Sequence, residues 1–323
     1  MPKLDFAKFS PGGNPTLLIT GGKVPEDKRL ATALALMDPL HLGAEQVGYT
    51  DLAAAPPRLE MMAGEFCLNA SRCLAFAMFR QNLFLPLDGT DDLFGLLRCS
   101  GAAQPLQARI KNGRLAAKSA LELECFISLE LRPEGSGGGL GGGLGGSSGG
   151  GQNSGPGSTQ VAELDRQVVD KGAVLVRLPG ISHLLLSRDL HPLPEDRALD
   201  EVKAWADKLD LHKEEAYGVV WYEACRPKRL EDAAENVLFQ SITPYVCAGG
   251  NIVAESACGS ASLALALLMA PAGPRAEGKL FLNVLQPSGE SLRLRLQDAP
   301  GGGYDVEAGG MVRLVARGET FLP

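Results

Sequence analysis

The sequence predicts an α+β protein of two pseudo-symmetric domains, each a mostly antiparallel sheet wrapped around one central apolar helix. Three observations predict it. A glycine-rich tract, Gly135 to Ser158, divides the 323 residues into halves and has almost no side chains to bury, so it behaves as a flexible coil. The halves share a faint repeat, in which Gly13-Asn14-Pro15-Thr16-Leu17-Leu18-Ile19 matches Gly180-Ile181-Ser182-His183-Leu184-Leu185-Leu186 as a small polar turn followed by an apolar strand. Each half also carries one strongly apolar helix candidate directly after a cysteine, in EFCLNASRCLAFAMFRQ and in ESACGSASLALALLM.

The first half covers residues 1–132, with Leu106 to Ile110 among its strand-like segments and a helix that begins after Cys67. Asn69 and Ser71 are small polar residues suited to that helix start. Residues 133–160 form the linker. The second half, residues 161–311, has a strand-like Ala216 to Glu223 and a helix after Cys258, opened by Ser260 and Ser262. From Ala261 to Met269 that helix is apolar nearly all round, which calls for enclosure on every side.

Composition narrows the function. A net charge of -7, with lysine and arginine scattered along the chain, offers no attraction for phosphate backbones or anionic lipid. The start, MPKLDFAKFS, has no apolar signal core, and the longest apolar run, Ala261 to Pro271, is about half of the ~20 residues that span a bilayer. The expectation is a cytoplasmic protein that binds neither nucleic acid nor membrane. Seven cysteines with no CxxC pair read as reduced thiols. His41, His183, His191 and His212 are dispersed, so no metal site is expected.

For Cys73, Cys99, Cys125, Cys225 and Cys247 burial is sufficient reason, since free cysteine is among the most buried residue types. Cys67 and Cys258 differ by their paired placement at helix starts. Unpaired N–H groups there stabilise a thiolate, and are expected to lower the thiol pKa towards neutrality. The same groups hold carboxylates. If the halves face each other, both thiols flank one anion, and a base on one face with an acid on the other is what inversion of an α-carbon requires.

Four segments in order, FAKFSPGGNPTLLI, HLGAEQVGYTD, EMMAGEFCLNASRC and ESACGSASLALA, resemble those of diaminopimelate epimerase and its cofactor-independent amino-acid racemase relatives. EMMAGEFC is most similar to the histidine racemase branch, which feeds opine-type metallophore synthesis. The resemblance implies Cys67 and Cys258 as the catalytic thiols, with Asn14, Gln46, Leu68, Asn69 and His183 around the substrate and the backbone of Gly259-Ser260 on its α-carboxylate. It also implies a homodimer, no cofactor, and a terminal strand within residues 312–323 that returns to the first domain.

The departures bear on the substrate. Leu68 stands where the family usually has glycine after the first cysteine, and Ile181 replaces an amide before His183. Cys247-Ala248-Gly249-Gly250-Asn251 replaces the Glu-Arg pair that holds the distal end of diaminopimelate, and a desolvated ammonium or carboxylate without a partner is costly. A single amino acid, histidine first, is therefore expected. Diaminopimelate itself, a double-bond isomerase on the same fold, and a non-catalytic amino-acid-binding protein are the competing readings.

Overall fold

The computed structural model of the chain describes residues 3–131, 166–178, 180–214, 216–226, 237–248, 250–271, 273, 278–300 and 302–322. The glycine-rich tract lies outside them. The first half runs β1 (Lys3–Pro11), β2 (Thr16–Gly21), α1 (Arg29–Met37), β3 (Gln46–Asp51), β4 (Arg58–Met61), α2 (Leu68–Arg80), β5 (Leu85–Pro86), β6 (Leu93–Cys99), β7 (Leu106–Ile110) and β8 (Glu122–Leu131). The second runs β9 (Arg166–Asp170), β10 (Ala173–Leu178), β11 (Ile181–Ser187), α3 (Ala198–Lys208), β12 (Ala216–Ala224), β13 (Val237–Ala248), β14 (Asn251–Ala254), α4 (Gly259–Met269), β15 (Lys279–Leu285), β16 (Ser291–Asp298) and β17 (Tyr304–Phe321).

In the first half, β1 and β2 form an antiparallel pair, α1 crosses over to make β3 parallel to β2, and β4 returns antiparallel. Crossing through α2 places β6 parallel to β4, and β7 and β8 follow antiparallel. The second half repeats this order with β10, β11, α3, β12, β13, α4, β15, β16 and β17. Sequence alternation drives the strands. In KLFLNVL of β15, each second residue is buried and its neighbours are partly exposed, so one face is committed to the core.

β17 is the element that joins the halves. Its early residues pair with β8 on one side and β16 on the other, and Val312 to Phe321 pair with Pro11 back to Lys3 of β1. The strands β17, β1, β2, β3, β4, β6, β7 and β8 therefore close into a barrel. Helix α2 contacts each of them, and every residue from Leu68 to Phe79 is buried. With its backbone hydrogen bonds satisfied internally, a helix is the form in which a chain segment can fill such an interior. Helix α4 packs on β10, β11 and β16, and its Leu263, Leu265 and Leu267 are buried.

The two helix starts lie directly after Cys67 and Cys258, as expected, with α4 beginning two residues before Ala261. Leu106–Ile110 is β7 as expected, and the segment from Ala216 runs one residue further, to Ala224. Of the cysteines expected to be structural, Cys73, Cys99, Cys125 and Cys247 are buried. Cys225, just beyond the end of β12, is instead only half-buried.

Phe76 is fully buried inside the barrel, with its ring 5.5 Å from that of Phe9 on β1. Its truncation removes a large side chain from a site with no solvent to refill it. Phe76→Ala is expected to destabilise the fold by about 3–5 kcal/mol, read by urea unfolding; a loss under ~1 kcal/mol would mean that the barrel interior is loosely packed.

Candidate active site

Cys67 and Cys258 are the N-caps of α2 and α4. Each has extended backbone, and each sulfur accepts from the N–H three residues on: Ala70 N to Cys67 Sγ at 3.3 Å, and Ala261 N to Cys258 Sγ at 3.4 Å. The helix starts expected from Asn69, Ser71, Ser260 and Ser262 are thus capped by the thiols themselves. Ser71 and Ser262 instead donate to the carbonyls of Cys67 and Cys258, at 2.8 and 2.7 Å. Helix geometry leaves the N–H groups of Leu68, Asn69, Gly259 and Ser260 without an intrahelical acceptor.

The two caps are brought together. Asn14, after β1, and Asn69, in the first turn of α2, both donate Nδ2 to the carbonyl of Ala257, at 3.2 and 3.3 Å, and Ala257 immediately precedes Cys258. Leu68 is buried against Gly259: a Cβ on residue 259 would lie 3.0 Å from Leu68 Cβ, so only glycine lets the helix starts approach this closely. Gln46, at the start of β3, accepts from Cys67 Sγ at 2.8 Å and donates to Asn14 Oδ1 at 2.5 Å and Thr16 Oγ1 at 2.7 Å. Asn14, Gln46, Leu68 and Asn69 therefore form one contiguous cluster with both cysteines.

Ser260 joins Cys258 to His183. Its Oγ lies 3.4 Å from Cys258 Sγ and 2.9 Å from His183 Nε2. His183 is fully buried on β11, and burial alone pushes its pKa down to about 3, so the ring is neutral. Among the described residues its Nδ1 has no partner, and it lies where a Cβ on residue 218 would come within 2.3 Å, so glycine at 218 makes the room for it. Ile181, two residues earlier in β11, opens the strand and is partly buried.

The electrostatics reverse the expected lowering of the thiol pKa. Burial pushes both thiols well above the ordinary cysteine range, outweighing the cap hydrogen bonds that favour the thiolate. The Glu255 carboxylate beside Cys258 and the Glu65 carboxylate near Cys67 push in the same direction. Burial likewise raises Glu255 to about 7, and Glu255 hydrogen-bonds with the Cys258 thiol. Glu45 is also raised by burial, and its two oxygens accept from Asn14 Nδ2 and Ser256 Oγ, both at 2.6 Å.

Sequence reasoning missed Glu45, Glu255, Ser256 and Gln286. Glu45 adjoins Gln46 and Glu255 opens the second cysteine motif, so a search for carboxylates flanking the named residues finds both. Gln286 carries no such signal. It arrives from the end of β15 to accept from Cys258 N at 3.0 Å and donate to Ser262 Oγ at 3.0 Å. Among the described residues, no group of three or more His, Cys, Asp or Glu is arranged to hold a metal, and no helix is long and apolar enough to cross a membrane.

Comparison with known proteins follows the same lines. Residues 3–130 match the family described as the histidine racemase CntK N-terminal domain. Over 325 residues the chain is 24% identical to a histidine racemase of Fusobacterium nucleatum subsp. nucleatum, covering 99% of this chain and 97% of that protein. Among solved structures, a hydroxyproline epimerase from Agrobacterium vitis, with bound trans-4-hydroxy-L-proline, superposes with a TM-score of 0.59 at 11% identity, covering 99% of this chain and 91% of that one. A methylitaconate delta-isomerase has the same fold, with a TM-score of 0.53 at 10% identity over 98% of this chain and 95% of that one. The chain is therefore similar to a histidine racemase over its whole length and shares the fold of epimerases and isomerases, and its residues 3–130 match the histidine racemase N-terminal domain family.

Proposed function

We propose that the protein is a histidine racemase that inverts the α-carbon with Cys67 and Cys258 as a two-thiol acid-base pair, without a cofactor. The observation that carries this reading is the joint capping of two adjacent helix starts by the two thiols, linked through Asn14 and Asn69 at Ala257. Free N–H groups at Gly259 and Ser260 bind the α-carboxylate. One sulfur, ionised, removes the α-proton, and the other, protonated, delivers its own proton to the opposite face. Glu255, hydrogen-bonded to Cys258 and raised to about 7, takes up the proton that ionises the pair. A thiol held high by burial is a stronger base once ionised, which suits the weak acidity of an α-C–H.

The histidine assignment rests on Glu45 and Glu255. Both are substantially buried, neither has an ion pair among the described residues, and Glu45 disfavours ionisation of Glu255. A site with two such carboxylates favours a side chain that donates N–H or carries positive charge, as imidazole does. Diaminopimelate is disfavoured, since the region that would hold its distal end, Cys247 to Asn251, has no paired acid and base in its sequence.

In this reading the halves, residues 1–132 with 312–323 and residues 161–311, are pseudo-symmetric domains, each built on a central helix, and 133–160 is their linker. Asn14, Asn69, His183 and Cys258 are almost wholly buried, so the domains part to admit substrate and close to exclude water. A homodimer accords with the solvent-exposed leucines 30 and 34 on α1.

Cys67→Ala and Cys258→Ala are each expected to reduce conversion of L-histidine to its D-form by at least about 10²-fold, followed by polarimetry, with unchanged far-UV circular dichroism. Turnover retained in either variant would exclude the two-thiol mechanism. The kcat/KM for histidine is expected to fall as pH drops through about 7, where Glu255 gains its proton, and Glu255→Gln is expected to remove that limb of the profile. An unchanged profile in the variant would assign the limb to another group.

A further inference from the structure

Arg72 is the one buried cation of α2, and nothing in the reaction described above uses it. It is fully buried, and burial pushes its pKa down, yet guanidinium remains charged. Its three hydrogen bonds all go to neutral oxygens: Nε to Cys125 O at 3.3 Å, Nη2 to Met311 O at 2.8 Å, and Nη1 to Asn69 Oδ1 at 3.4 Å. No carboxylate pairs with it among the described residues. Desolvating a charge without a counter-ion costs free energy that an apolar side chain of similar volume does not incur. The corresponding place in α4, five residues after Cys258 as Arg72 is five after Cys67, holds the buried leucine Leu263. The helix core therefore does not call for a charge at that position.

What Arg72 does is fix an amide. A side-chain amide presents an acceptor at one end and donors at the other, and nothing intrinsic decides which faces the site. Because guanidinium has donors only, it accepts no orientation of Asn69 except the one with Oδ1 turned inward. That leaves Nδ2 turned towards Ala257 O, one residue before the Cys258 thiol. With Oδ1 outward, Asn69 would set a lone pair against that carbonyl, and against the carboxylate of an amino acid held at the helix starts.

We propose that Arg72 is a positioning residue which locks Asn69 as an obligate hydrogen-bond donor at the substrate site. The proposal rests on the racemase reading for its kinetic consequence, and on the geometry alone for the orientation of the amide. Two sets of measurements separate these. In the first, Arg72→Met, Arg72→Lys, Asn69→Ala and the double variant Arg72→Met/Asn69→Ala are compared with the unaltered protein by thermal melting and by kinetics on histidine. Arg72→Met is expected to melt at the same temperature or higher while KM rises roughly tenfold, the loss of about one charge-oriented hydrogen bond. Arg72→Lys recovers part of that loss. The double variant is no worse than Asn69→Ala alone, because the arginine acts only through the amide. A lower melting temperature with KM unchanged, or effects of the two substitutions that multiply, would overturn the proposal. In the second, the side-chain NH2 of Asn69 is followed by NMR, which reads the orientation whether or not histidine proves to be the substrate. One slowly exchanging NH2 pair in the unaltered protein, giving way to averaged or doubled signals in Arg72→Met, is the expected result. An unchanged pair in the variant would refute the lock directly.

Discussion

The site depends on a single carbonyl. Ala257 O receives one amide from the loop after β1 and a second from the first turn of α2, and the next residue along is the thiol that caps α4. Two hydrogen bonds to one oxygen use both of its lone pairs, so its position is fixed by residues from the other half of the chain. Gly259 then lets Leu68 press against the α4 backbone, and the two cap sulfurs share one neighbourhood. Without that junction, two helix N-termini from the two halves of the chain would have no reason to meet.

The strand order serves the junction. β17 pairs with β1 and β8 of the first half and with β16 of the second, so the halves share a strand as well as a site. Burial that holds the helices also raises the thiols, Glu45 and Glu255, and depresses His183. One cause, exclusion of water, accounts for all five directions, because in each case the uncharged form is the one favoured. Local dipoles are minor by comparison. A helix N-terminus contributes about 0.3–2 kcal/mol, too little to offset desolvation of a thiolate enclosed by protein.

Much of this was legible in the sequence. The apolar stretch after Cys258 has almost no polar face, which marks it as an enclosed helix, and both cysteines sit where the caps must be. Alternation marked β7 and β12 to within a residue. What was not legible is what tertiary contact decides. The direction of the thiol pKa shift depends on how completely the helix starts are covered, which local sequence does not encode. Gln286 reaches Cys258 only because β15 ends beside it, and Arg72 reads as an ordinary helix former until its burial is known.

The central claim is that two different groups handle the proton, one on each face of the α-carbon. It is tested most directly by running the reaction from L-histidine in deuterium oxide and following both enantiomers at low conversion by NMR. Two thiols that exchange protons with solvent only between turnovers place deuterium on the α-carbon of newly formed D-histidine, while the remaining L-histidine keeps its proton. Deuterium appearing equally fast in the unreacted L-histidine would mean that a single group serves both faces, and would contradict the account.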